Sequence, residues 1–110
     1  MIFKTDYGII YCKDNSYQKE FDDNNEYFHR NNNRLYYNGY LVHREDGPAI
    51  KRGNMENNWY LNGRLHREDE PAKEYFNGSK YWYLNNEIYS EEEYLKIINL
   101  KNKTSVLNEI

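Results

Sequence analysis

At 110 residues the chain has room for one domain with a modest core. Its net charge of −3 argues against nucleic-acid phosphates or anionic membranes as general partners, since both require a positive surface. Apolar residues make up only 38% of the chain, yet thirteen Tyr, four Phe and two Trp bury large areas each, which excludes a disordered polymer.

In chain order, runs rich in Tyr, Trp, Phe, Leu and Ile predict strands at 7–12, 17–21, 26–29, 34–37, 40–43, 49–51, 58–61, 64–66, 73–76, 81–84 and 87–89. Asp22-Asp23-Asn24-Asn25 and Asn31-Asn32-Asn33 predict loops. Asn38-Gly39, Asn62-Gly63 and Asn77-Gly78 are hairpin signals, because Asn and Gly both tolerate the positive φ of a type I′ turn. Asn85-Asn86 holds the corresponding place further on, as a less comfortable version of that turn. A helix is expected over 91–100. Ser90 and Glu93 form a capping box, Glu91, Glu92 and Glu93 suit the helix dipole, and Tyr94, Leu95, Ile97 and Ile98 supply an apolar stripe. The tail 101–110 is open, with Val106, Leu107 and Ile110 free to pack or fray.

Two stretches nearly duplicate one another. His43-Arg44-Glu45-Asp46-Gly47-Pro48-Ala49 returns 23 residues later as His66-Arg67-Glu68-Asp69-Glu70-Pro71-Ala72, and Trp59-Tyr60-Leu61-Asn62 returns as Trp82-Tyr83-Leu84-Asn85 at the same shift. Such a period marks a small supersecondary unit used repeatedly. Aligned on their turns, Leu35, Trp59 and Trp82 correspond, as do Tyr36, Tyr60 and Tyr83. The first copy then has one residue too many, which predicts a bulge near residues 40–42. In the third copy Tyr89-Ser90-Glu91-Glu92-Glu93 stands where the His-Arg segment should be, so the helix closes the stack as a cap. The expected organisation is one domain: an unrepeated or eroded β segment over 1–33, hairpin repeats over 34–89, a capping helix over 90–100 and a tail over 101–110. The echo of Glu74-Tyr75-Phe76 in Glu26-Tyr27-Phe28 belongs to the eroded part.

The segment Trp59-Tyr60-Leu61-Asn62-Gly63-Arg64-Leu65-His66-Arg67-Glu68-Asp69, with Pro71-Ala72, resembles a repeat of small bacteriophage and large-DNA-virus proteins related to the MORN repeat. The resemblance covers about residues 34–100 and departs at Glu70, where the first copy has Gly47, and in the third copy, which lacks the His and Arg. It implies a mainly β, curved, single-layer antiparallel meander of hairpins with a period of about 23 residues. It also implies a non-enzymatic role in protein interaction or scaffolding. A phage or viral origin makes a host protein the expected partner, with an anti-defence or anti-CRISPR inhibitor or adaptor as the specific form.

The repeated His43, Glu45 and Asp46 with His66, Glu68 and Asp69 are metal-type ligands, but copies in a row point their equivalents along a line instead of at one centre. The structural alternative assigns His43, Arg44, Asp46, Trp59, His66, Arg67, Asp69 and Trp82 to the joints. There Arg and His stack on the aromatic of the next hairpin, and the acid pairs with Arg or bonds its own turn. Paired carboxylates for hydrolysis need distinct environments, which a repeat does not provide. Cys12 with His29 or His43 as a thiol nucleophile has only presence in its favour, and the six Gly form no phosphate loop. Neither an enzyme nor a cofactor is expected.

A row of Tyr36, Tyr60 and Tyr83 on a wet sheet face, with Glu91 and Glu92, is the expected partner-binding surface. Stacked single-stranded nucleic acid is disfavoured, because Lys51, Arg52, Lys73 and Lys80 make a thin cationic set. A self-assembling virion or scaffold protein, or a homodimer joined through a sheet edge, is the alternative, and a metal-dependent enzyme comes third. With a lone Cys, no apolar run of membrane length and no signal-like start, a cytoplasmic location is expected, in the host cytosol if phage-encoded.

Overall fold

The computed structural model describes residues 1–19 and 28–108. The described strands are β1 (Ile2–Lys4), β2 (Ile9–Tyr11), β3 (Phe28–Asn31), β4 (Arg34–Tyr37), β5 (Tyr40–Leu41) and β6 (Ile50–Lys51). They continue as β7 (Glu56–Asn58), β8 (Tyr60–Leu61), β9 (Arg64–Leu65), β10 (Lys73–Tyr75), β11 (Lys80–Leu84) and β12 (Glu87–Tyr89), and the helix α1 (Glu91–Asn108) follows. All pairings are antiparallel. Among the described residues no helix is long and apolar enough to cross a membrane.

The strands fall into three sheets. Among the described residues one runs β1-β2-β6-β7-β10-β11-β12, a second β3-β4-β5, and a third β8-β9. β1 and β7 were not expected from the sequence. No strand forms at 17–19, and the remainder of that expected strand, with residues 26–27 of the next, lies outside the described residues. The side chains of Val106 and Leu107, and all of Ile110, also lie outside them.

Asparagine chemistry sets the tight turns. Asn32-Asn33, Asn38-Gly39, Asn62-Gly63 and Asn85-Asn86 all carry positive φ at both positions, between 49° and 85°, as type I′ hairpins require. Asn77-Gly78 departs from expectation, because only Gly78 is in the left-handed region. There the Asn77 side chain accepts the Ser79 N–H at 3.0 Å, and the Tyr75 N–H reaches the Ser79 carbonyl, giving a longer turn.

The backbone also corrects the alignment of the first copy. His66 donates its N–H to the Trp59 carbonyl, while Trp59 donates to the Ala72 carbonyl. In the first copy the same two bonds run from His43 to Tyr11 and from Tyr11 to Ala49. Tyr11, not Leu35, therefore occupies the position of Trp59. Cys12 bridges Val42 just as Tyr60 pairs with Leu65. The segment 14–40 leaves the chain where Asn62-Gly63 makes its turn and carries β3, β4 and most of β5's approach with it. The expected bulge is replaced by regular pairing, Tyr36 with Leu41 and Tyr37 with Tyr40.

This insertion shapes the core. Ile10, Cys12, Leu35, Tyr37, Val42, Ala49, Ile50, Tyr60 and Leu65 form one buried cluster, drawing on the inserted sheet and on both copies. Phe3 and Phe28 pack on Tyr37 with ring centroids 5.2 and 4.9 Å apart, so aromatic pairs fill volume that aliphatic residues would otherwise take. At the far end the capping box forms, Ser90 N–H to Glu93 Oε1 at 3.0 Å and Glu93 N–H to Ser90 Oγ at 3.1 Å. The buried Tyr94 docks α1 by donating its hydroxyl to the Arg67 carbonyl at 2.5 Å.

Candidate functional site

The repeated segment builds two matching joints. Arg44 Nε meets Asp46 at 2.9 Å and Arg44 Nη1 the Pro48 carbonyl at 3.3 Å. Arg67 does the same with Asp69 at 2.9 Å and the Pro71 carbonyl at 3.1 Å, so Glu70 in place of Gly47 leaves these contacts intact. Each guanidinium lies over an aromatic ring, Arg44 on Tyr11 at 4.0 Å and Arg67 on Trp59 at 3.8 Å. Both rings stand upstream in the chain, not on the next hairpin as expected. Among the described residues no arginine lies over Trp82, which is half-buried in register with Tyr89.

The imidazoles have equally local work. His43 Nδ1 accepts the Asn62 N–H at 2.8 Å and His66 Nδ1 accepts the Asn85 N–H at 3.0 Å, so each holds the turn of the following copy. The opposite nitrogens face Glu45 at 3.6 Å and Glu68 at 2.8 Å. Burial, then Lys13, holds the His43 pKa below its ordinary value, against the opposing pull of Glu45. Among the described residues no three His, Cys, Asp or Glu side chains gather in a metal-binding group.

Cys12 is 5% exposed in the core, and burial pushes its thiol up to about 12. A thiol so held is not ionised at neutral pH and is no nucleophile.

The expected tyrosine strip is corrected. Tyr36 is 7% exposed and Tyr60 5%, so that face of the strands is covered. Side-chain alternation separates two faces but does not tell which one the inserted sheet will bury. Only Tyr83 of the three keeps partial exposure. Glu91 and Glu92 are exposed at the start of α1, and Glu92 meets Lys96 at 3.4 Å. Ile88 lies directly across the strand pair from Tyr83 and is 57% exposed; Tyr81 on β11 and Leu95 and Leu100 on α1 are exposed as well.

A second feature was not legible in the sequence. Arg30 from β3, Arg64 from β9 and Lys73 from β10 line one cleft of about 710 Å³, together with Tyr83, Leu65 and Glu87. Asn86 is also in the lining, accepting the Leu65 N–H at 2.7 Å and donating to the Asn33 carbonyl. The three cations come from three different strands, with Arg30 lying 34 residues before Arg64, so no local pattern announces them.

Comparison with protein-family models, with curated proteins and with solved structures finds no match to this chain.

Proposed function

We propose that the chain is a non-catalytic protein-binding module, an inhibitor or adaptor of a phage or virus that docks on a host protein such as a component of an anti-phage defence system. The same proposal takes the hairpins as a curved MORN-like stack capped by α1, working in the cytosol of the host. The single observation behind it is the unburied apolar surface at the helical end. Ile88 is 57% exposed beside the half-exposed Tyr83, next to Glu91 and Glu92 at the helix start. Exposed aromatic and aliphatic side chains with acidic neighbours suit a partner that offers a hydrophobic pocket and a basic rim.

The test is affinity purification of the tagged chain from infected or transformed host cells, with identification of the retained protein. Wild type is expected to retain one defined partner in stable ratio, and Tyr83→Ala and Ile88→Ser are expected to lose it while melting normally. Retention that is indifferent to both substitutions counts against this surface.

A second reading has its own support, since among the described residues β1 and β12 are the end strands of the seven-stranded sheet. A self-assembling scaffold would use them. Light scattering on a size-exclusion column separates the two, because a monomer at high concentration removes the scaffold.

A further inference from the structure

The cleft between the inserted sheet and the repeats is an unassigned site. Arg44, Arg52 and Arg67 each hold a carboxylate within ion-pair distance. Arg30, Arg64 and Lys73 are different: among the described residues none of them has a carboxylate partner, although all three line the same space. Their neighbours are hydroxyls instead. Arg30 bonds the Tyr60 phenol, and Lys73 lies among Tyr75, Tyr60 and Tyr83. Among the described residues, these three cations thus face one cleft whose lining carries one carboxylate, Glu87, a local excess of positive charge in an acidic chain.

We propose that this cleft binds a small phosphorylated molecule of mononucleotide size, its phosphates held by Arg30, Arg64 and Lys73 and its remaining part resting against Tyr83. Guanidinium groups match phosphate geometry with paired N–H donors, and an ammonium adds a mobile point charge. The volume of about 710 Å³ falls in the range of small-ligand sites. The Asn86 amide donates to the Asn33 carbonyl, so two residues of the cleft's lining are joined directly. The ligand would bridge β3 to β9 and β10, tying the inserted sheet to the repeats. This goes beyond partner docking, because the phosphate contacts involve neither Ile88 nor α1.

Calorimetric titration at low ionic strength tests it, with ADP, inorganic pyrophosphate and adenosine as probes. ADP is expected to bind one to one, pyrophosphate more weakly, and adenosine not at all. Arg64→Gln and Lys73→Gln are each expected to weaken ADP binding about tenfold, the scale of one lost charge-assisted hydrogen bond. Arg30→Gln alters an exposed side chain and supplies the same readout should the half-buried positions disturb folding. No saturable binding of ADP or pyrophosphate by the wild-type chain overturns the site. So does affinity unchanged in the folded variants. Pyrophosphate binding as tightly as ADP removes the role given to Tyr83. Loss of the protein partner in Ile88→Ser, with ADP affinity intact, keeps the two surfaces distinguishable.

Discussion

His43 accepts the backbone N–H of Asn62 on Nδ1 at 2.8 Å, nineteen residues away in the chain. The bond requires an unprotonated Nδ1, so the neutral imidazole holds the next turn and the imidazolium releases it. Burial and Lys13 lower the His43 pKa from 6.5. The unfolded chain therefore takes up the proton first. This contribution is complete above pH 6.5 and is lost as the pH falls from 6.5 through the folded value. Chemical denaturation from pH 7.5 to 5.5 is expected to show stability falling. In His43→Ala it is expected to start about 1 kcal/mol lower and to fall less. An unchanged slope in the variant would remove His43 as the source.

Gly63 is a point of close approach between the second copy and the inserted sheet. Its φ is +80°, and a Cβ there would lie 2.9 Å from Arg34 Cβ, the Leu35 nitrogen and Leu41 Cδ2. Gly63→Ala is expected to cost about 2–4 kcal/mol, combining left-handed strain with overpacking. Gly53 has φ +56° and nothing within 4 Å of such a Cβ. Gly53→Ala should cost only about 1–2 kcal/mol, the strain alone. Equal losses in urea melts would contradict the steric account.

Asn86 stands where the second copy has Gly63, and Asn86→Gly would restore the commonest type I′ pair. It would also strip the Leu65 N–H of its acceptor and the Asn33 carbonyl of its donor. The Leu65 residue is buried, so the orphaned N–H is not rescued by water. A net loss of about 1 kcal/mol is expected in spite of the better turn. A rise in melting temperature would show that backbone strain at Asn86 outweighs its bonds.

Tyr94 fixes α1 to the second joint. Burial, with Asp69 nearby, pushes its phenol up to about 12, so it remains a donor to the Arg67 carbonyl at any ordinary pH. Tyr94→Phe is expected to cost about 1 kcal/mol and Tyr94→Ala about 3–5 kcal/mol. Far-ultraviolet circular dichroism reports whether α1 melts separately in the alanine variant; a single transition in that variant at the wild-type temperature would count against its role as the anchor.

Cys12 offers a chemical test of the core. With its thiol buried and pushed up to about 12, iodoacetamide at pH 8 should leave the native chain unmodified and label it in denaturant. Rapid labelling of the native chain would place Cys12 outside the core.

The local features were legible because their partners lie within a few residues. The Ser90–Glu93 box, the Asn-Gly turns at 38–39 and 62–63, and the pairing of Arg44 with Asp46 and Arg67 with Asp69 each follow from short-range hydrogen-bond geometry. The mainly β composition with one C-terminal helix follows from the same signals. Pairings across long stretches of chain were decided only in three dimensions. Tyr11 could be matched to Trp59 only through its bonds to His43 and Ala49, since the insertion hides the alignment. Alternation put Tyr60 on the opposite face from Trp59 and Leu61, but the inserted sheet decided that this face would be covered. Arg30, Arg64 and Lys73 share no spacing in sequence; they meet because the fold sets β3, β9 and β10 around one cleft. Sequence specifies which groups bond their neighbours. Burial, and with it the surface left to bind anything, is a property of what distant segments come to cover.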